Sequence, residues 1–188
     1  MTAVLVTPPA IEPVTLAEAK AHLRVGHDDE NDLIATLIVA ARRQVEARTG
    51  LALIAQHWTV LRDDWTMDGI VPLPVMPLMA IDEVAVFGDD GEKAVIDPAH
   101  YHADLASRPP RLLLRGSRVW ARPGRIGNGI AITVQAGFGA AAADVPAPIR
   151  QAILLMVAHG FAHRGDGTPP PPPLTIETLL QPFRAVRL

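Results

Sequence analysis

The sequence predicts an α+β protein: a small α-helical bundle with an antiparallel β insertion between the second and last long helices, plus a C-terminal arm. Three observations lead there. Residues 28–50 carry one apolar stripe at helical spacing, with Leu33, Ile34, Leu37, Ile38, Ala41 and Val45 on it. From 51 to 139 the pattern changes to short β-branched runs broken by Pro, Gly and Asp. After Pro148 helical periodicity returns, with Ile149, Ala152, Ile153, Met156, Val157, Gly160 and Phe161 on one face, widened by Leu154 and Leu155. Two apolar stripes of this kind cover one another. Each Leu or Ile buried between them contributes roughly 1.5–3 kcal/mol.

The elements follow in order. Residues 1–14 read as extended, because Pro8, Pro9 and Pro13 oppose a helix. Thr15 with Glu18 forms a capping box, so a short helix is expected from Leu16 to about Val25, closed by Gly26. In the long helix, Asp28, Asp29, Glu30 and Asp32 crowd the first turns and Arg42, Arg43 and Arg48 the last, the order the macrodipole favours. Gly50 is its stop. Gln56–Leu61 alternates as a strand, and Pro72, Pro74 and Pro77 bracket an irregular piece. Ile81–Phe87 and Glu92–Ile96 flank Gly88-Asp89-Asp90-Gly91, read as a hairpin with Asp-Gly at positive-φ central positions. Tyr101–Ala103, Arg111–Leu114 and Ile130–Ala136 complete the strands. Pro148 suits a first helical residue, where its missing N–H has no consequence. The expected divisions are 1–50 with 144–165 as the bundle, 51–143 as the insertion, 166–173 as a Pro-rich spacer and 174–188 as the arm.

Composition narrows the function. The chain has no cysteine, which removes disulfides, thiolate metal sites and a cysteine nucleophile. A net charge of −3 does not suggest a general nucleic-acid binder. The N-terminus lacks a signal-peptide pattern and no apolar run reaches the ~20 residues of a membrane span, so a soluble protein made in the cytoplasm, without membrane contact, is expected.

Candidate chemical sites are weak. His159 and His163 share a helix face, but no zinc-hydrolase glutamate lies between them and no third ligand is evident. The acids at 28–32 serve the helix, with no paired base or nucleophile. No phosphate-cradling glycine loop and no GxSxG occurs. No catalytic, cofactor or metal residue is assigned, and no enzyme is expected. The more informative group is Arg108, Arg111, Arg115, Arg118, Arg122 and Arg125, with Trp120 among them and no acid from 105 to 143. Such a run can meet phosphates, an acidic partner, or only solvent. A DNA-binding module built on it is the alternative function.

The C-terminal region has a stiff polyproline spacer, Pro169–Pro173. Beyond it Ile176, Leu179, Leu180, Phe183, Arg184, Val186 and Leu188 form a short peptide with apolar character. It either docks on another protein or folds back on its own domain. Under the first reading, removing 174–188 leaves the domain folded.

The order of these stretches resembles the head–tail connector (adaptor) proteins of long-tailed bacteriophages and gene transfer agents. The resemblance is carried by PVTLAEAKAHLRV (13–25), VEARTG (45–50), ALIAQHW (52–58), VPAPIRQAILLMVAH (145–159) and LQPFRAVRL (180–188). It covers nearly the whole chain through order and spacing, not through a chemical signature. The five-proline run departs from the family, as does His159-Gly160-Phe161, where a bulky aromatic is usual. The resemblance implies a non-enzymatic virion subunit that forms a ring, usually of twelve copies, below the portal protein. Such a ring extends the DNA channel without sequence-specific binding and presents a surface to a stopper or neck protein. It assigns residues 174–188 to portal docking and leaves the arginine run as channel, DNA or partner contact.

Overall fold

The structure is a computed structural model, describing residues 1–115, 121–165 and 170–184. The chain divides into two compact units: Met1–Pro9 with Ala55–Phe138, and Ala10–Ile54 with Gly139–Leu188.

Among its described residues the first unit is all β apart from a 3-10 turn at Pro98–His100. Its strands are β1 (Thr2–Thr7), β2 (Gln56–Arg62), β3 (Ile70–Pro72), β4 (Leu78–Phe87), β5 (Lys93–Val95), β6 (Tyr101–Asp104), β7 (Arg111–Leu114) and β8 (Ile130–Ala136). They form two antiparallel sheets, ordered β1-β2-β8-β4-β5 and β3-β7-β6. β8 is the centre of the larger sheet. Its alternation buries Ile130, Ile132, Val134 and Ala136 on one face. Ile132 stands opposite Val60 on β2 and Val84 on β4, so three strands place apolar side chains in one row. β4 shifts register between Leu78 and Ala80 and again between Ile81 and Glu83, which breaks the simple alternation expected of it.

Two features differ from the sequence expectation. The extended N-terminal segment, expected beside the helices, is instead an edge strand, with Thr2 opposite Leu61 and Leu5 opposite Trp58. β3 was expected to be irregular; Val71, fully buried, pairs with Leu112 there, and Pro72 closes the strand. The 88–91 turn is present with different chemistry. Gly91 N–H donates to Gly88 O, so Asp89 and Asp90 are the central pair, and only Gly91, at φ 82°, is left-handed. That is a type I turn followed by a glycine bulge rather than a primed turn.

The second unit contains α1 (Leu16–Leu23), α2 (Asn31–Thr49), α3 (Ala147–Ala162) and α4 (Leu174–Leu180), with 3-10 turns at Ala142–Asp144 and Gln181–Phe183. α2 packs on α3, α1 on both, and α4 on α3. Ile34, Ile38, Ala41 and Val45 of α2 and Ile149, Ala152, Ile153 and Val157 of α3 are buried, together with Ala19 of α1. The capping box forms: Thr15 Oγ1 accepts from Glu18 N–H while Glu18 Oε2 accepts from Thr15 N–H. α1 ends earlier than expected, because Arg24 takes the left-handed cap at φ 59° and Gly26 is not needed. α2 begins at Asn31 rather than Asp28. Asp28 stays outside the helix, accepting from Lys20 Nζ at 2.6 Å and Asn31 Nδ2 at 3.2 Å. Gly50 at φ 73° caps α2 as expected.

Candidate functional site: the assembly surfaces

The C-terminal group does not act as one peptide. Ile176 and Leu180 lie one helical turn apart on α4 and are both fully buried. Leu179 and Phe183 are half-buried and Arg184 is exposed. Val186 and Leu188 lie outside the described residues. Glu177 accepts from Arg48 Nη1 of α2 at 2.9 Å and also from Arg184 Nη2. Apolar burial on one side and the Arg48 ion pair on another therefore hold α4 to its own unit. The burial of Ile176 and Leu180 argues against the expectation that 174–188 can be removed with the fold intact. In this segment Leu174 is 83% exposed and Arg184 is exposed, beside half-buried Leu179 and Phe183.

The arginine group is divided as well. Arg111 on β7 donates to Asp104 Oδ2 from Nη2 at 2.6 Å and from Nε at 3.1 Å, and to Ser107 Oγ at 2.9 Å. The Ser107 hydroxyl and the Arg111 guanidinium, with the Ser107 N–H, hold the Asp104 carboxyl well below the usual carboxylate range. Arg125 donates to Gly127 O at 3.0 Å and Asn128 O at 2.9 Å, and its guanidinium lies 4.7 Å from the Phe87 ring centroid. These two arginines brace loops of their own unit. Arg108, Arg115 and Arg122 are exposed, and Arg118 and Trp120 lie outside the described residues. The loop around Arg122 meets another that carries acids. Trp65 Nε1 donates to Ala121 O at 3.1 Å, and Asn128 N–H donates to Asp63 Oδ1 at 2.8 Å. That second loop carries Asp63, Asp64 and Asp68.

The remaining candidates resolve into structure. The His159 and His163 rings meet edge to face, 4.6 Å between centroids. Among the described residues no three His, Asp, Glu or Cys side chains gather as a metal site, and no helix is long and apolar enough to cross a membrane. Glu30 accepts from Arg164, which gives that acid a packing role. Glu18 accepts from Arg150 Nη2 while Arg150 Nε donates to Pro13 O at 3.0 Å, so one carboxylate caps α1 and ties it to α3. Its pKa is lowered by the Thr15 N–H first, against the opposing effect of burial, with further lowering from the Thr15 hydroxyl and Arg150.

Sequence reasoning missed two features. Arg42 was read as a dipole charge, yet it is 6% exposed and clamped between Glu12 Oε2 and Glu46 Oε2, each at 2.7 Å. Glu46 Oε1 also accepts from Leu53 N–H at 3.1 Å. The signal was the i,i+4 spacing of Arg42 and Glu46 on the apolar side of α2. Beside this clamp an apolar hollow of about 370 Å³ opens between the 11–16 segment and α2, lined by Ile11, Val14, Leu16, Ile38 and Val39. The second missed feature is the β1 edge, where Val4, Leu5 and Val6 are 46%, 40% and 58% exposed.

Against known proteins, residues 13–90 match the family of phage gp6-like head–tail connector proteins. No curated protein sequence matches the chain. Among solved structures, the chain is similar to one from the neck of an empty GTA particle computed with C6 symmetry, at 26% identity and a TM-score of 0.85. It is also similar to one from the virion of a native gene transfer agent (GTA) particle, at 25% identity and 0.86. Both matches cover 100% of this chain and 97% of the other. A chain from the neck of a native GTA particle computed with C12 symmetry shares the fold at 24% identity and a TM-score of 0.79, with the same coverage.

Proposed function

We infer, for a chain whose residues 13–90 match the model of the phage gp6-like head–tail connector family, that it is a structural connector subunit at the head–tail interface of a phage or gene transfer agent particle. Copies form a ring below the portal protein, twelve in number, which extends the DNA channel and offers its far side to a stopper or neck protein. The observation that carries this reading is the agreement over 100% of the chain with a subunit from a GTA particle neck, at a TM-score of 0.85. An agreement of that extent includes both the β unit and the helical unit, which an isolated likeness of helices does not. A closed ring of identical subunits requires two different lateral faces on each copy.

In this reading α2 and α3 are the rigid strut of a helical bundle. The portal is engaged by the C-terminal surface of Leu179, Phe183 and Arg184, continued by Val186 and Leu188. Ile176 and Leu180 act from beneath by holding α4 in place. Arg108, Arg115 and Arg122, which are exposed, face the channel or a neighbouring protein, and DNA passes without sequence-specific recognition. A free DNA-binding module on the same arginines is less well supported, because Arg111 and Arg125 have partners within the unit.

Electron microscopy of the neck of intact particles tests the reading. The expected outcome is a twelve-copy ring of this chain between portal and tail. Particles with complete necks that lack the chain would overturn it. For the arm, Leu179→Ala with Phe183→Ala is expected to leave the helical signal in circular dichroism unchanged and to prevent attachment to portal rings. Attachment at wild-type level would remove the docking assignment.

A further inference from the structure

We propose that Arg48 and Arg184, held on either side of Glu177, form a recognition site for a carboxylate on an acidic segment of the partner that engages the C-terminal surface. The proposal rests on the docking reading above. It adds a residue of α2 to that surface and states the chemistry of what binds there.

The three side chains come from distant parts of the sequence and all belong to the helical unit. Arg48 stands in the last turn of α2. Its Nη1 donates to Glu177 Oε1 at 2.9 Å, while Arg184 Nη2 donates to Glu177 Oε2. Each guanidinium thus takes one oxygen of a single carboxylate. Two positive charges share one negative charge, and one positive charge is left over. The local sequence supplies no second acid. Glu177 is the only acidic side chain from 170 to 184. Glu46, close to Arg48 on α2, is committed to Arg42 Nη1 and to Leu53 N–H.

Glu177 is the positioning residue of the group. Ile176 and Leu180, fully buried, fix α4 beneath it, and Arg184 N–H donates to Gln181 O at 3.3 Å, which fixes the backbone of the second arginine. The side chains themselves stay open, at 29% exposure for Arg48, 41% for Glu177 and 44% for Arg184. Ion pairs this exposed contribute about 0–1 kcal/mol to stability, so the fold gains little from holding two guanidiniums here. A carboxylate arriving from outside gains charge-assisted hydrogen bonds from groups already in place.

The surroundings select a protein carboxylate over a phosphate. Leu174, three residues before Glu177 and on the same side of α4, is 83% exposed. Leu179 and Phe183 are half-buried on the same segment. An acidic segment with an apolar side chain beside its carboxylate uses both the charge and this apolar surface. A DNA strand uses the charge alone.

Binding of the full chain to purified portal rings, at about 0.1 M and about 1 M NaCl, reads the site. Wild-type binding is expected to weaken at the higher salt. Arg48→Gln and Arg184→Gln should each keep the circular dichroism spectrum, weaken binding at the lower salt about tenfold, and lose most of the salt dependence. Arg48→Lys keeps the charge and should bind within about threefold of wild type. Arg48→Gln is the decisive variant, because Arg48 lies outside the C-terminal segment. Wild-type binding by either Gln variant, or native binding that salt does not alter, would overturn the carboxylate site and leave docking through Leu179 and Phe183 standing. Duplex DNA retained by the free chain and released by Arg184→Gln would assign the site to a phosphate. Self-association lost in the same variant would assign it to a second copy. Either result would overturn the proposal. No binding of the wild-type chain to portal rings would overturn the docking reading and this site with it.

Discussion

Arg42 and Glu12, thirty residues apart, form a 2.7 Å ion pair in which the guanidinium is almost wholly removed from solvent. Glu46, one turn further along α2, holds the other side of the same group. Removing one partner of a buried pair costs about 3–5 kcal/mol, because the remaining charge is left uncompensated. Arg42→Met is therefore expected to destabilise the helical unit by about 3 kcal/mol. Glu12→Gln should cost about 1 kcal/mol, since Glu46 still holds the guanidinium. Urea denaturation followed by helical circular dichroism measures both, and equal losses for the two variants would contradict the clamp.

Leu179 and Leu180 are adjacent in sequence and opposite in role. Leu180→Ala removes a fully buried side chain and is expected to cost about 2–5 kcal/mol. Leu179→Ala, at a half-buried position, should cost less than about 1 kcal/mol. Truncation at 174 should lower the unfolding midpoint of the helical unit rather than leave it unchanged. An unchanged midpoint after truncation would show that α4 is not part of that unit's core.

The link from Asp104 to Arg111 and Ser107 sets an acid dependence. The folded carboxyl lies below its ordinary value of 3.8. Its contribution is thus complete above that pH and is lost as pH falls through the folded value. Asp104→Asn should lower the urea midpoint at pH 7, and the gap from wild type should narrow at pH 3. A gap of the same size at both pH values would exclude this origin.

Two helix ends invite opposite substitutions. Gly50 sits at φ 73° with open space around a Cβ, so Gly50→Ala should cost about 1 kcal/mol through backbone strain alone. Arg24 holds the corresponding left-handed position at φ 59°, and Arg24→Gly should stabilise by about 0.5–1 kcal/mol. Thermal unfolding of both variants tests the pair, and shifts of the same sign would reject it.

Local chemistry was legible where it was decisive. The Thr15–Glu18 box, the Gly50 cap and the strands at 111–114 and 130–136 stand where the residues put them. What was not legible depends on partners remote in sequence. Nothing in Thr2–Thr7 announces β2 as its neighbour, and the prolines around 72 hide a strand that exists only because β7 pairs with it. Gly26 looked like the stop of α1, but the backbone turned two residues earlier at an arginine. The C-terminal arm showed its apolar character without showing that α3 would take up half of it. Likewise, an arginine count could not reveal that Asp104 and the Phe87 ring had already claimed two members.

The larger sheet takes its edge strand from before residue 10 and the rest from after residue 55, with α1 and α2 made in between. On the ribosome, neither unit can close early. β1 waits for β2, β2 waits for β8, and α2 waits for α3 near the end of the chain. The β unit is thus completed only once β8 has been made and the helical unit only with α3 and α4, and the uncharged strand β1 passes through the early part of synthesis unpaired. Folding of this chain should accordingly be slow for its size, and its yield during synthesis should depend on how quickly residues 55–62 follow and cover that strand.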